Sequence, residues 1–223
     1  MTVSEFERAI YEQRPTSQDH YDASYFTDSW RAEGNDYSLE TRRRLEGRNP
    51  ELIKDVFEPR KVLDVGCGPG ALMHLLAELG VEVDGVDFAE SSLQLASDLV
   101  RHRIVIGSTS APLTPAHSYD LVICREVMEH LTVFQVRKTV ENLVRTTSRF
   151  IYCTTRFHPD PASLLDFTTQ FDVDPTHITL LNKDFLRLMF VLEGCRSRPD
   201  LEAKMDWLNK GRVLVMEKHA PEL

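Results

Sequence analysis

The chain has 223 residues, 42% of them hydrophobic and 27% charged, with a formal net charge of −9 at pH 7. That length builds one sizeable core, at most with a small accessory lobe, so a single domain is expected. No apolar run approaches the ~20 residues that cross a bilayer, MTVSEFERAI lacks the basic and then apolar pattern of a secretory signal, and the acidic balance repels duplex nucleic acid at long range; the expectation is a cytoplasmic protein.

In chain order, residues 1–59 read as a helical extension. The segment HYDASYFTDSW, from His20 to Trp30, gathers four aromatics and is either a lid over a crevice or a helix packed on the sheet. Arg42, Arg43 and Arg44 follow in a helix-like stretch with Glu40 and Glu46 and read as a solvated face. Asn49 and Pro50 form a cap followed by a first-turn proline, and Leu52, Ile53, Val56 and Phe57 make an apolar stripe that Glu58-Pro59 ends.

From residue 61 short apolar runs alternate with helical spacings, the pattern of an α/β fold with a mostly parallel sheet. Strands are predicted at Lys61–Val65, Glu82–Val86, Arg103–Ile106, Asp120–Cys124 and Phe150–Thr154. Between them lie a helix through Leu72, Leu75, Leu76 and Leu79 that ends at Gly80, one capped by Ser91 or Ser92 that buries Leu93, Ala96 and Val100, and one from Leu131 to Thr147. A stretch from Thr155 to Leu181 breaks the alternation, which in a compact domain points to function. A helix capped by Asn182 then turns Phe185, Leu188, Met189 and Leu192 inward. Two strands, Leu201–Leu208 and Arg212–Glu217, are expected to close the sheet as an antiparallel edge pair around Asn209-Lys210-Gly211. Cys67, Cys124, Cys153 and Cys195 have no metal-like spacing and read as reduced thiols.

The stretch KVLDVGCGPGALMHLLAELGVEVDGVDFAES, Lys61 to Ser91, is a strand, a glycine-rich turn, a helix and a second strand ending in a carboxylate. Such a unit binds a nucleoside at the carboxyl edge of a parallel sheet, and its glycines fit a dinucleotide as well as they fit S-adenosyl-L-methionine. Asp64 separates the two. A carboxylate two residues before the first glycine opposes a pyrophosphate and suits an ammonium. Pro69 also removes a backbone donor that an anion cradle needs.

The string VLDVGCGPG, followed by VDGVDFAESSL, GSTSAPLTPAHSYDLVICREVMEHL and a final strand pair, resembles the class I S-adenosylmethionine-dependent methyltransferase family. The resemblance spans residues 60–223 and implies a Rossmann-like, seven-stranded, mostly parallel sheet with helices on both faces and an antiparallel last strand. It implies S-adenosyl-L-methionine as cofactor and S-adenosyl-L-homocysteine as product. Gly66, Gly68 and Gly70 would form the turn under the methionine part, with Asp64 holding its ammonium. Asp87 would accept hydrogen bonds from the ribose hydroxyls, and Phe88 would pack on the adenine. Ser108 and Thr109 stand where many relatives carry an acid facing the adenine amino group, so Ser108 is expected to add little; Cys124 completes the cofactor set.

Methyl transfer is an in-line displacement, so the enzyme aligns a nucleophile and excludes water, and an oxygen nucleophile also needs its proton removed. The fourth strand ends in Cys124-Arg125-Glu126-Val127-Met128-Glu129-His130, and three readings of these residues stand. Glu126 and Glu129 are helix-start acids with His130 behind them; or His130 or Glu126 is a general base; or Glu126, Glu129 and His130 bind a divalent metal with His158 or His177. The Glu-x-x-Glu-His string is similar to that of ubiquinone-pathway O-methyltransferases and small-RNA 3′-end methyltransferases, where metal is implicated. The expected catalytic pair is His130 and Glu126, with no residue assigned to a metal. Arg125, His158 and His177 are the expected acceptor contacts, and Arg156 and Asp172 are further polar groups of the 155–181 wall.

The expected activity is methyl transfer to an oxygen of a small molecule such as a sugar or secondary metabolite. The rivals are an RNA or protein methyltransferase, a nicotinamide-dependent oxidoreductase and a non-catalytic cofactor-binding subunit.

Overall fold

The computed structural model describes residues 11–27, 36–113, 118–157, 174 and 176–219. Seven strands form one sheet: β1 (Lys61–Val65), β2 (Glu82–Asp87), β3 (Ile104–Ile106), β4 (Tyr119–Arg125), β5 (Thr147–Thr154), β6 (Cys195–Ser197) and β7 (Val213–Lys218), in the order β3-β2-β1-β4-β5-β7-β6. The pairs from β3 to β5 are parallel, and β7 runs antiparallel to both β5 and β6. The chain leaves β1 for β2 and β3 on one side and returns to β4 on the other. That reversal opens a crevice at the carboxyl ends of β1 and β4, where open α/β sheets bind ligands.

The helices are α1 (Ala23–Thr27), α2 (Leu39–Glu46), α3 (Asn49–Phe57), α4 (Ala71–Glu78), α5 (Ser91–Leu95), α6 (Val133–Thr146), α7 (Lys183–Leu192) and α8 (Pro199–Met205). Side chains of a strand alternate between faces, and the core divides accordingly. Leu63, Val65, Val122 and Cys124 pack with α6 (Val136, Val140, Leu143) and α7 (Leu186, Phe190). Val62, Leu121 and Ile123 pack on the other face with α3 (Ile53, Phe57), α4 (Leu72, Met73, Leu76) and α8 (Leu201, Met205). Each of these fully buried side chains contributes about 1.5–3 kcal/mol of transfer free energy.

Several expectations need correction. Leu201 and Met205 belong to a helix that starts at Pro199, so the partner of β7 is the three-residue β6 and the connection between them contains α8 rather than a tight turn. In α7, Asn182 caps as expected, accepting from the N–H groups of Asp184 and Phe185. The inward face, however, is Leu186, Met189 and Phe190, while Phe185, Leu188 and Leu192 are exposed. Asn49 lies inside α3 with Arg48 at its cap; its side chain donates to Glu46 and accepts from the Tyr152 hydroxyl. The serines of α5 do not cap it either: Ser92 Oγ donates back to Ala89 and Ser91 Oγ to Tyr21. The α6 helix begins at Val133 behind a complete Thr132–Gln135 capping box. All four cysteines are free thiols, and among the described residues no helix is long and apolar enough to cross a membrane.

Candidate active site

The crevice starts at the turn after β1. The Gly66 and Cys67 N–H groups both donate to the Val86 carbonyl, at 2.7 and 3.2 Å, which fastens the turn to the end of β2. Gly66 has φ +78°, and a Cβ there would stand 2.2 Å from Val127 Cγ2. Only glycine lets the turn pass so close to the end of β4. The next contact orients Asp87: its Oδ2 accepts from the Gly68 N–H at 2.7 Å and its Oδ1 from the Ala89 N–H at 2.8 Å. Burial raises the Asp87 pKa against the opposing pull of the Ala89, Gly68 and Phe88 amides. Each oxygen keeps a further lone pair for a ligand hydroxyl.

One cleft of roughly 1290 Å³, counted out to its open mouth, joins this turn to the end of β4. It is lined by Asp64, Gly66, Gly68, Asp87, Phe88, Ser108, Thr109, Arg125, Glu126 and His130 together, so ten of the expected site residues converge. Gly70 instead caps α4, facing Val100 and Ile104, and Cys124 is fully buried in the core below. His177 stands behind His130 with the rings edge to face, 4.5 Å apart. His158 and Asp172 lie outside the described residues. Ser108 Oγ lies 2.8 Å from Ser110 Oγ and Thr109 Oγ1 lies 3.0 Å from Thr139 Oγ1.

On the cleft floor, Arg125 Nη1 bonds Glu46 Oε2 at 2.8 Å, and Glu46 also accepts from Asn49. Burial works against charge in Glu46, but Arg125 and Asn49 more than offset it and hold its carboxyl below the usual range. Asp64 differs. Burial pushes it up to about 7, aided by the negative charges of Glu46 and Asp87 and opposed by Arg125. A cation arriving beside Asp64 therefore meets a group that readily becomes its counter-ion.

A wall of aromatic rings covers the opposite side. Tyr21, Tyr25, Phe26 and Tyr37 all line the cleft, Phe26 meets Tyr25 and Tyr37 edge to face, and the Arg42 guanidinium lies 3.8 Å from the Tyr37 ring centre. The arginine triplet is thus not uniformly solvated: Arg42 faces the cleft, and Arg43 makes two hydrogen bonds to Glu78. Gln18 Nε2 donates to the Phe88 carbonyl at 2.6 Å, and Tyr25 OH to Asp174 at 3.0 Å. The aromatic segment therefore bridges the end of β2 and the segment that carries Asp174.

After β4 the backbone is strained, with Glu126 at φ +51°, a conformation non-glycine residues keep only where surrounding contacts hold it. Its N–H donates to Thr154 at 2.8 Å, and its carboxylate lies 3.8 Å from Arg212. A 3-10 turn, Met128–His130, then sends Glu129 inward. Glu129 is no helix-start acid: it is 2% exposed, its Oε2 accepts from the Thr155 hydroxyl at 2.7 Å, and its Oε1 is buried without a hydrogen-bond partner. Burial first, and Glu126 next, push its pKa up to about 8. One ligand atom from each of Glu129, His130 and His177 lies within 4.8 Å of the others, a donor set that suits a divalent cation. Of the neighbours, Glu46 and Arg42 read from sequence as part of a solvated face, and Thr176 and Asp174 had no role assigned. Arg42 and Glu46 lie upstream of the glycine-rich stretch and Asp174 and Thr176 within the 155–181 stretch, and only the fold brings the four to one site.

Residues 62–149 match the model of a family described as a methyltransferase domain. That match covers about two fifths of the chain, which thus contains a stretch similar to a methyltransferase domain. Over 79 residues the chain is 42% identical to the ubiquinone biosynthesis O-methyltransferase of Idiomarina loihiensis, an alignment covering 32% of each chain. The match thus spans about a third of that relative's length. The domain's fold is shared with a SAM dependent methyltransferase from Archaeoglobus fulgidus, at TM-score 0.61 and 18% identity over 87% of this chain and 97% of that one. It is shared too with the magnesium protoporphyrin IX methyltransferase of Synechocystis, solved with bound SAH, at TM-score 0.59 and 17% identity over 97% and 94%.

Proposed function

We propose that this protein is an S-adenosyl-L-methionine-dependent methyltransferase that methylates an oxygen of a small, ring-bearing molecule in the cytoplasm. The observation that carries the reading is that one cleft holds the glycine turn and Asp87 at one end and His130 and Glu126 at the other. Bound there, the cofactor supplies an electrophilic methyl carbon on a sulfonium. The chain does the rest. Asp87 would accept the two ribose hydroxyls, Asp64 would balance the ammonium, and the aromatic wall would order a planar acceptor and keep water away. His130 would take the acceptor hydroxyl's proton and leave an oxygen nucleophile for the methyl group that the cofactor would supply when bound, with the bonding electrons left on sulfur. The net charge of −9 disfavours RNA as acceptor, and the O-methyltransferase relatives support an oxygen acceptor.

One observation favours a second reading of proton removal. The unpartnered Glu129 Oε1 lies in the cluster with His130 and His177, and these three residues would hold a divalent cation that lowers the acceptor hydroxyl's pKa. Activity that survives chelation excludes it. For the function itself, calorimetry should show S-adenosyl-L-homocysteine binding, abolished in Asp87→Ala, and no heat with NAD. Binding of NAD in place of the methyl-donor product overturns the reading.

A further inference from the structure

His130 can take a proton only if the right ring nitrogen carries its lone pair. Its Nδ1 lies 2.7 Å from Thr176 Oγ1. That hydroxyl in turn donates to Asp174 Oδ1 at 2.6 Å, and the Thr176 backbone N–H donates to the same oxygen at 3.0 Å. The other oxygen, Oδ2, accepts from the Tyr25 hydroxyl at 3.0 Å and stands 3.7 Å from His177 Nε2. Three donors therefore converge on Asp174, which is buried. A carboxylate only accepts. A threonine hydroxyl has one proton, and with that proton given to Asp174, Thr176 Oγ1 can only accept from His130. The neutral imidazole then bears its hydrogen on Nδ1 and its lone pair on Nε2.

We propose that Asp174 is a positioning residue that acts through Thr176 to hold His130 in its Nδ1–H form, presenting the Nε2 lone pair for the acceptor's proton. The inference rests on the reading of His130 as the base. It has the logic of a carboxylate orienting a catalytic imidazole, with one hydroxyl interposed. The carboxylate also holds Tyr25, so one group fixes both the base and the aromatic wall above it. Among the described residues, the other titratable groups facing the His130 ring are Glu129, from its own turn, His177, from the segment that carries Asp174, and Tyr21, whose ring meets it edge to face at 6.0 Å.

The test is the nitrogen spectrum of the histidine rings in the full-length, cofactor-free protein, with the His130 signal assigned by its loss in His130→Gln. The wild type should show hydrogen on Nδ1. In Asp174→Asn the amide donates to Thr176, the threonine proton turns to His130, and the hydrogen should move to Nε2. Thr176→Val should lose the preference and Thr176→Ser restore it, which keeps the test intact if Asp174→Asn does not fold. The kcat of Asp174→Asn should fall by about 100-fold or more, the range of a general base, with the KM for the methyl donor unchanged. A wild-type ring with hydrogen on Nε2, or a ring unmoved in both Asp174→Asn and Thr176→Val, overturns the proposal. The spectrum needs no turnover, so a ring that flips as expected in a protein that methylates no hydroxyl retains the relay and removes only the base.

Discussion

At the scale of single residues, the site stores buried charge. Glu129 has an ordinary pKa of 4.5 in the unfolded chain and about 8 in the fold, mainly because burial penalises its carboxylate. Between those values the native state holds a proton that the unfolded chain has lost, so stability falls as pH rises from about 4.5 to 8 and is flat beyond. Asp64, with a native pKa near 7, acts in the same direction. Glu129→Gln keeps an acceptor for Thr155 and removes the charge. In thermal melts with chelator present, the variant should be more stable than wild type by ~2 kcal/mol at pH 9, with the gap closing toward pH 5. A gap that does not depend on pH contradicts the buried charge. The burial was not legible from sequence, where Glu129 read either as a helix-start acid or as one of a set of metal ligands. Only the 3-10 turn that delays α6 until Val133 turns it inward.

At the scale of elements, the turn after β1 and the end of β4 are mutually constrained. Gly66→Ala should cost at least ~1 kcal/mol from its left-handed backbone, and more from the Val127 methyl 2.2 Å away, with loss of S-adenosyl-L-homocysteine binding. Adding Val127→Ala should recover part of the melting temperature; no recovery would place the cost in the backbone alone. The strands from β1 to β5 were readable because buried runs of three to eight residues lie between glycines, prolines and helical spacings. The last pair was not. β6 has only three residues, and the Leu201/Met205 spacing that fits helix α8 sits in a run that also looked extended. In α7, FLRLMFVL is apolar on several sides, so its spacing fixes a helix but not the face it buries. Packing against α6 and the sheet makes that choice.

At the scale of the whole molecule, the strand order leaves one crevice, and a segment far upstream closes it. Asp87 and Cys124-to-His130 could be placed from sequence because a strand end fixes its own neighbours. The aromatic segment could be read only as a lid or as a helix packed on the sheet, and the Arg125–Glu46 pair and the Asp174–Thr176–His130 relay not at all, because each joins residues at least 46 apart in the chain and no local pattern marks such a meeting. In the proposed function the two ends of the cleft have separate tasks: Asp87 for the methyl donor, His130 for the acceptor. Transfer of a labelled methyl group from S-adenosyl-L-methionine to a panel of hydroxylated aromatic small molecules, run beside RNA and protein acceptors, tests this most directly. The account predicts label on a small-molecule oxygen, lost in Asp87→Ala through binding and in His130→Ala through kcat. Label that appears only on RNA or protein, or an unchanged rate in His130→Ala, would contradict it.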